Sequence, residues 1–258
     1  MNLGLAKQVV FIAGGSRGIG LAIGQALIAE GACVVLTGRD ETSLRAASEQ
    51  FESAASDRIL SIQGDLMDNR VITSGFEQTL RKFGRMDHLI ANLGTGSGKL
   101  GWDQSDDEWM RLFEANFFAS TRLAQASLPL LRSNESGGSI IFMSSIAGLE
   151  SSAAPLPYSS AKAALINYSK NLARQVAPLK VRVNTIAPGN VLFGGGSWEK
   201  HLLSRPNDVQ AMLESEVPQR RFGKPEEIAS LAAYLCSPCA GFATGGCYVM
   251  DGGQTRGR

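Results

Sequence analysis

A tyrosine and a lysine four residues apart form the first pair of side chains in this sequence that could share one chemical task. Tyr158 and Lys162 lie in the segment PYSSAKAAL, and in a helix this spacing places them on one face, about one turn apart. An ammonium group beside a phenol stabilises the phenolate and lowers a pKa that is ordinarily about 10. The pair therefore predicts a tyrosine that works as a general acid or base, although this spacing alone also arises by chance.

A serine hydroxyl strengthens this interpretation. Ser145 follows the apolar run SIIFMS and precedes the tyrosine by 13 residues. A hydroxyl at the end of a buried strand can hold and polarise a substrate carbonyl oxygen. The three residue types together indicate a reaction in which a proton moves to or from a carbonyl or alcohol oxygen.

A glycine-rich stretch near the N terminus, IAGGSRGIGLAI, marks a second candidate site. Its glycines at positions 14, 18 and 20 follow the spacing G-x-x-x-G-x-G. Glycine costs roughly 0.5–1 kcal/mol in a regular element, so such a cluster predicts that a phosphate approaches the backbone at a helix N terminus. A tight strand-to-helix turn without a ligand is the alternative.

Short apolar runs alternate with segments of helical periodicity, and these elements must position the candidate residues. The apolar runs cover residues 9–13, 33–37, 59–62, 88–91, 139–144, 181–186 and 247–250, and helical patterns include 19–31, 40–53 and 69–84. This alternation predicts an α/β fold with a parallel sheet and helices on both faces. We expect a single domain over residues 1–258.

One long segment departs from the regular alternation. Residues 189–206, GNVLFGGGSWEKHLLSRP, contain three consecutive glycines and two aromatic residues. Long irregular segments in compact domains are commonly functional. We therefore expect a substrate lid at about residues 189–215.

Composition excludes several classes of function. The 258 residues carry 25 Lys and Arg against 24 Asp and Glu, a net charge of +1. This balance provides no field for nucleic acid or an anionic membrane surface, and no apolar run approaches the ~20 residues of a membrane span. We expect a cytoplasmic protein that binds neither nucleic acid nor membrane.

The cysteines predict neither a metal site nor a redox pair. Cys236 and Cys239 form a CxxC motif, but a zinc ion would need two further ligands, and the only histidines are His88 and His201. A redox motif is expected at the start of a helix, whereas this pair lies at a helix end. We expect reduced structural thiols.

Taken together, the motifs resemble those of the short-chain dehydrogenase/reductase family over essentially the whole chain. They are the glycine motif, Asp65 in GDL, Asn92 in ANLG, Asn116 in EANFFAS, Ser145, Tyr158, Lys162, Asn184 in RVNTIAPG, GKPEEIASLAAYL and the closing MDGG. Within the family, the pattern is most similar to the 3-oxoacyl-[acyl-carrier-protein] reductases. The resemblance implies a single doubly wound (Rossmann) α/β domain with the strand order 3-2-1-4-5-6-7. It also implies reversible hydride transfer between a nicotinamide and a carbonyl or alcohol.

The resemblance also implies a role for each residue of the site. Tyr158 would deliver the proton, Ser145 would orient the carbonyl, Lys162 would hold the nicotinamide ribose and Asn116 would anchor a water in the proton relay. The implied cofactor-binding residues are Gly14, Ser16, Arg17, Gly18, Ile19, Gly20, Arg39, Asp65, Leu66, Asn92, Gly94, Tyr158, Lys162, Pro188, Gly189 and Val191.

Three positions depart from the family pattern. Ala13 stands where a Thr or Ser usually supports the glycine motif, and Leu93 replaces a small residue in the cofactor floor. Phe193 stands where the family often has a threonine that binds the nicotinamide carboxamide. No catalytic group is lost, but the geometry of the lid is affected.

The residues after the second strand predict a preference for NADP(H). In VVLTGRD, Gly38 occupies the position where NAD-dependent relatives usually carry an acid, and Arg39 follows it. Arginine suits a 2′-phosphate, and Arg17 can approach the same phosphate from the glycine motif. Asp40 is expected to cap the following helix. Two solvated arginines without a ligand are the alternative.

The sequence leaves the substrate open. It could be a 3-oxoacyl thioester, another ketone, a sugar or a secondary metabolite, and a non-catalytic dinucleotide-binding regulatory protein is the alternative outside the enzymes. Leu100, Trp102, Phe193 and Trp198 either form an apolar pocket or pack the lid. The family resemblance and the long apolar helical stretches 105–131 and 158–177 predict a homotetramer.

Overall fold

Seven parallel strands form one sheet in the order β3-β2-β1-β4-β5-β6-β7. The computed structural model describes residues 2–51 and 56–257. The strands are β1 Val9–Ala13, β2 Cys33–Gly38, β3 Ile59–Gln63, β4 His88–Ala91, β5 Gly138–Met143, β6 Val181–Pro188 and β7 Cys247–Met250. The predicted doubly wound α/β fold and strand order are confirmed, and every predicted strand is present within two residues.

The central strands of the sheet are buried because they are apolar on both faces, whereas the edge strands β3 and β7 are partly exposed. Along β1, Val10 and Ile12 belong to one cluster of buried side chains, while Phe11 belongs to a second cluster on the opposite face. Successive side chains of a strand point to opposite sides, so one strand contributes to both clusters. This arrangement requires helices on each face of the sheet.

Helices supply the outer layers. Their bounds are α1 Gly18–Ala29, α2 Glu41–Glu49, α3 Asn69–Phe83, α4 Asp106–Phe113, α5 Ala119–Leu131, α6 Leu156–Val176, α7 Ser197–Ser204, α8 Pro206–Glu216 and α9 Pro225–Cys236. Side chains of α1, α2 and α9 join the first cluster, and those of α3, α5 and α6 join the second. Asp40 caps α2 by accepting a hydrogen bond from the backbone N–H of Ser43 at 2.7 Å, as predicted. The predicted end of this helix, at position 53, lies outside the described residues.

A turn of π-helix, Glu114–Phe118, joins α4 to α5 without a break in the helical path. A π-turn inserts one extra residue into an α-helix and is frequent at functional sites. It lies within the stretch 105–131, so the helical prediction for this stretch is confirmed. The turn carries Asn116, which is fully buried.

The segment after β6 contains the two helices α7 and α8. They have a small apolar cluster of their own, formed by Trp198, Leu202, Val209, Leu213, Phe222 and their neighbours. No residue of α7 is fully buried. The α7–α8 segment is thus less integrated into the protein than the helices that cover the sheet.

The cysteines lie where the sequence predicts them. Cys236 is the last residue of α9 and is buried, Cys239 is exposed, and neither forms a disulfide. Burial raises the pKa of Cys236 to about 12, so its thiol stays protonated. Over residues 2–51 and 56–257, no group of three or more His, Cys, Asp or Glu side chains could hold a metal ion. In the same ranges no helix is both long and apolar enough to cross a membrane.

Candidate active site

The candidate residues gather at one edge of the sheet, where the parallel strands end. Gly14 follows β1, Arg39 follows β2, Asn92 follows β4 and Ser145 follows β5. The carboxyl ends of strands in a doubly wound sheet form the crevice in which ligands bind. The topology therefore brings residues from most of the chain length to a single site.

Close backbone contacts explain the glycines between β1 and α1. A Cβ atom on Gly20 would overlap the carbonyl oxygen of Gly14. The side-chain amide of Asn92 donates a hydrogen bond to the same oxygen at 2.9 Å, which ties the turn to the end of β4. Side chains at positions 14 and 20 would thus overlap the backbone, and the turn leads into the N terminus of α1 at the crevice.

A threonine from the neighbouring strand supports this turn. The Thr37 hydroxyl donates to the Ile12 carbonyl at 3.0 Å and accepts from the Gly14 N–H at 3.1 Å. Its backbone carbonyl accepts from the Gly15 N–H at 2.8 Å. Thr37 therefore provides the kind of support that Ala13 cannot. Sequence reasoning missed this residue, because its role depends on the register between β1 and β2.

Two arginines border the crevice at the end of β2. The guanidinium of Arg39 is 72% exposed and lies 4.0 Å from the Asp65 carboxylate. Arg17 is exposed, and its Nη1 donates to the Gly195 carbonyl at 3.4 Å. A Cβ on Gly38 would lie 3.0 Å from the Cβ of Ser16, so a larger side chain at position 38 would meet the glycine-rich turn.

Tyr158 and Lys162 share one face of α6, as the spacing predicts, and Ser145 lies against the tyrosine. The Lys162 Nζ is 5.9 Å from the centre of the Tyr158 ring. Burial raises the pKa of Tyr158, and its hydrogen bond with Ser145 opposes this rise. The lowering of this pKa expected from Lys162 is not seen, since the ammonium points to backbone carbonyls. The phenol thus keeps its proton at neutral pH.

Two strand ends hold the lysine. Its Nζ donates to the Met143 carbonyl at 2.9 Å and to the Leu93 carbonyl at 3.2 Å. Burial lowers the pKa of Lys162 to about 8, because a buried ammonium loses its hydration. Leu93 makes this contact through its backbone oxygen, which any residue would provide. The unusual leucine side chain at position 93 therefore leaves the contact unaffected.

The buried Asn116 fixes the loop after β4. Its Oδ1 accepts from the Thr95 N–H at 3.0 Å, and its Nδ2 donates to the carbonyls of Thr95 and Leu112 at 3.0 and 2.9 Å. These bonds use both amide hydrogens. A water could still bond to the second lone pair of Oδ1 or to the backbone carbonyl of Asn116.

The remaining predicted cofactor residues fall in two groups. Ile19, Leu66 and Val191 are apolar and pack against the main clusters. Pro188 ends β6, and the Gly189 N–H donates to the Met250 carbonyl at 2.9 Å. These five residues lie in the turns that follow the strands, or close to those turns.

The four apolar residues near the predicted pocket do not form a common lining. Trp102 and Leu100 are exposed, at 87% and 60%. Trp198 packs against Phe222, with ring centres 5.3 Å apart, and Phe193 lies against Gly18. For Trp198 and Phe193, the structure therefore favours packing of the lid.

Comparison with known proteins agrees with this geometry. Residues 13–255 match the family model described as enoyl-(acyl carrier protein) reductase, which belongs to the short-chain dehydrogenases/reductases. The chain belongs to the short-chain dehydrogenase/reductase family. It is accordingly an oxidoreductase.

Two curated relatives and one solved structure illustrate the similarity. An uncharacterised oxidoreductase of Mycobacterium tuberculosis is 34% identical over 97% of this chain and 93% of its own length. The 3-oxoacyl-[acyl-carrier-protein] reductase of Salmonella typhimurium is 33% identical over 96% and 97%. The structure of L-sorbose reductase from Gluconobacter frateurii, complexed with NADPH and L-sorbose, superposes over 100% of both chains with a TM-score of 0.93 and 32% identity.

The residues of the crevice fit a dinucleotide. The glycine-rich turn leads into the N terminus of α1, whose first backbone N–H groups have no partner within the helix, and the arginines beside it supply cationic donors for phosphate. At the other end, the buried ammonium of Lys162 and the Ser145 hydroxyl offer donors for a ribose and a carbonyl oxygen. The crevice thus offers phosphate-binding donors at one end and donors for a ribose and a carbonyl oxygen at the other, in the order in which a dinucleotide carries these groups.

Gly94 provides a test of the proton-handling end of the site. An alanine Cβ at this position would lie 2.5 Å from the Asn116 Oδ1 and 2.9 Å from the Lys162 Nζ, and the residue has a φ of +151°. We expect Gly94→Ala to lower kcat/KM at least tenfold, equivalent to about 1.4 kcal/mol, as measured by steady-state kinetics.

Gly96→Ala is the matched control, since a Cβ at position 96 would meet nothing within 4 Å. We expect it to retain wild-type kinetics. Activity of Gly94→Ala within about twofold of wild type would contradict the close packing of this corner.

Proposed function

We propose that this protein is an NADP(H)-dependent reductase that interconverts a carbonyl group and a secondary alcohol, with Tyr158 as the general acid and base. One observation carries the proposal: Tyr158 lies on the same face of α6 as the buried Lys162, whose Nζ is 5.9 Å from the phenol ring centre, and Ser145 is close enough to the phenol to lower its pKa. This arrangement presents a proton donor and a second hydroxyl to one acceptor oxygen.

In the reductive direction the protein would manage the proton. When bound, the nicotinamide supplies the hydride to the carbonyl carbon. Ser145 orients and polarises the carbonyl oxygen, and the Tyr158 O–H breaks as its proton passes to that oxygen. Burial raises the pKa of Tyr158, so the phenol holds this proton at neutral pH. In the oxidative direction the phenolate removes the proton from the alcohol.

Lys162 and Asn116 would restore the proton after each turnover. Lys162 is positively charged below its pKa of about 8, and its Nζ lies 5.9 Å from the centre of the Tyr158 ring, so it would be the nearby donor from which a proton returns to the phenolate. The same ammonium is the proposed donor to the nicotinamide ribose. Asn116 lies beside it across Gly94 and would hold the water of the proton relay.

The remaining cofactor contacts extend from the nicotinamide to the adenosine. Pro188, Gly189 and Val191 would flank the nicotinamide, and Asn92 and Gly94 would form the floor. The first turn of α1 would bind the pyrophosphate through its backbone N–H groups. Asp65, with Leu66 beside it, would contact the adenine.

The preference for NADP(H) is supported by the arginines at the end of β2. Arg39 is largely exposed and only loosely paired with Asp65, so its guanidinium is available to a 2′-phosphate. A hydrogen bond from a charged group contributes about 1.5–3 kcal/mol, and solvent reduces this value at an exposed site. NADPH in the complex of L-sorbose reductase supports the same choice.

The substrate class we favour is a 3-oxoacyl thioester, because several curated relatives carry the name 3-oxoacyl-[acyl-carrier-protein] reductase. Similarity to the L-sorbose reductase structure supports a second candidate, a ketose. Loss of NADPH absorbance with acetoacetyl thioesters, simple ketones and ketoses would distinguish them. Lack of turnover with every carbonyl compound would favour a non-catalytic dinucleotide-binding protein.

The surroundings of the site complete the proposal. Residues 189–215 would form the substrate lid, with α7 and most of α8 as its helical part. The balanced charge of the chain and the similarity to acyl-carrier-protein reductases support a cytoplasmic location. Exposed apolar side chains on the long helices support a homotetramer, among them Met110, Phe118 and Leu156.

Substitution of the catalytic tyrosine tests the reaction. We expect Tyr158→Phe to lower kcat by on the order of 10²–10⁴-fold, because the proton donor is removed while the ring is kept. NADPH binding, followed by its fluorescence, should stay close to wild type. Tyr168→Phe is the control: this tyrosine lies on the same helix but packs between Phe117 and Phe142. Retention of more than about half of wild-type kcat by Tyr158→Phe would refute the mechanism.

Cofactor preference is tested by kinetics with both dinucleotides. We expect kcat/KM to favour NADPH over NADH at least about tenfold, or roughly 1.4 kcal/mol. Arg39→Ala should reduce this preference, mainly by raising the KM for NADPH. Arg45→Ala is the control, because Arg45 pairs with Glu49 along the exposed face of α2. Equal efficiency of the wild-type enzyme with NADH would show that the assignment is wrong.

Light scattering tests the assembly. At micromolar concentration we expect a mass about four times that of the 27.4 kDa chain, because oligomers of this kind bury the apolar faces of their helices. A monomeric mass would contradict the proposed tetramer.

A further inference from the structure

One attachment of the α7–α8 segment to the rest of the protein is a short turn that touches the glycine-rich motif. Others are the contact of Asn190 with Met212 and the ion pair of Arg256 with Glu216. The helices of the segment pack mainly around Trp198 and Leu213, apart from the two main clusters. The turn that leads into α7, residues 193–196, contains Phe193 and three glycines. The position of the segment over the crevice therefore depends strongly on the contacts of this turn.

Phe193 makes the apolar part of that attachment. Two carbon atoms of its ring lie 2.7 Å from the position that a Cβ on Gly18 would occupy. The ring thus rests directly on the glycine backbone at the start of α1. Phe193 also packs against the first main cluster, so it joins the α7–α8 segment to the protein's interior.

Arg17 makes the polar part. Its Nη1 donates to the Gly195 carbonyl at 3.4 Å, and the Gly195 N–H donates to the Glu199 carboxylate of α7 at 2.7 Å. The bond from Arg17 is at the long end of the range for hydrogen bonds and is exposed, so it is weak. A phosphate dianion is a stronger acceptor for a guanidinium than a neutral carbonyl.

The Arg17 guanidinium also affects a carboxylate just after the end of β2. The pKa of Asp40 is lowered, chiefly by its hydrogen bonds with Ser43, and the charge of Arg17 adds to this lowering. Asp40 follows Arg39 directly. Ser16, the residue before Arg17, also lies against Gly38 at the end of β2, where a Cβ on Gly38 would be 3.0 Å from the Ser16 Cβ. Arg17 thus lies between the 193–196 turn and the proposed site of a 2′-phosphate.

We propose that Phe193 and Arg17 position the lid, and that Arg17 couples the lid to the 2′-phosphate of the cofactor. Binding of the 2′-phosphate draws Arg17 away from the Gly195 carbonyl. Phe193 is then the remaining contact of the turn with the glycine-rich motif, and α7, still packed on Phe222 through Trp198, shifts relative to the substrate crevice. A cofactor without a 2′-phosphate leaves the Arg17 contact in place. The inference rests on the proposed NADP(H) preference.

Trp198 provides a readout that does not depend on turnover. The chain contains three tryptophans, so Trp102→Phe/Trp109→Phe leaves Trp198 as the sole emitter, on α7. This protein is titrated to saturation with 2′,5′-ADP or with 5′-AMP, and calorimetry measures binding. We expect 2′,5′-ADP to shift the Trp198 emission and to speed proteolysis within residues 194–205. When 5′-AMP occupies the site to the same extent, it should neither shift the Trp198 emission nor speed proteolysis.

Variants separate the two contacts. In Arg17→Ala, the shifted emission should be present without ligand, and saturating 2′,5′-ADP should add no further change. Arg39→Ala is the comparison: it should weaken binding of 2′,5′-ADP but preserve the full emission change at saturation. Phe193→Ala should shift the emission without ligand, whereas Phe193→Leu should keep the wild-type emission because it retains apolar contact. Circular dichroism confirms that each variant is folded.

The outcomes distinguish this inference from the proposed function. Tight binding of 2′,5′-ADP with unchanged Trp198 emission, or an equal change with 5′-AMP, would overturn the coupling and leave the NADP(H) preference intact. If 2′,5′-ADP binds no more tightly than 5′-AMP, the cofactor preference itself is wrong, and the coupling is overturned with it.

Discussion

The ammonium group of Lys162 is buried, and the catalytic corner depends on the oxygens that keep it there. A buried charge is tolerated only when polar partners replace its lost water. The partners are the carbonyls of Leu93 and Met143, which lie at or just beyond the ends of two neighbouring strands. These two bonds therefore fix the position of α6 along the direction of β4 and β5. The same position determines where Tyr158 meets Ser145.

A second set of constraints operates through the backbone at the glycine-rich turn. Thr37 and Asn92, from the strands on either side of β1, hold this turn by hydrogen bonds to Ile12 and Gly14. These bonds tie the turn to the strands on both sides of β1. The α7–α8 segment has its own apolar cluster, and its contacts with the rest of the protein include Phe193 on Gly18, Trp198 on Phe222 and the Asn190 Nδ2 at 3.3 Å from the Met212 Sδ. This arrangement suits the proposed role of the segment as a substrate lid.

Much of this molecule could be predicted from its sequence, because the relevant signals are local or periodic. Short apolar runs in alternation with helical segments predicted the strands and a parallel sheet between helices, and the family resemblance implied the doubly wound strand order. The spacing of Tyr158 and Lys162 placed both on one helix face, since the geometry of an α-helix does not depend on its surroundings. Asp40 was predicted as a helix cap because its side chain bonds to the backbone only three residues away.

Other features were decided only by the tertiary structure, because they join residues that are distant in the sequence. Thr37 supports the glycine turn through the register of β1 against β2, which no local pattern reveals. Burial reversed the expected direction of the Tyr158 pKa, since desolvation depends on everything packed around the phenol and not on one neighbouring charge. The contact of Phe193 with Gly18 joins positions 175 residues apart, and only the folded chain brings them together. Sequence by itself determined which groups are available for chemistry, and packing decided which of them meet and in what protonation state.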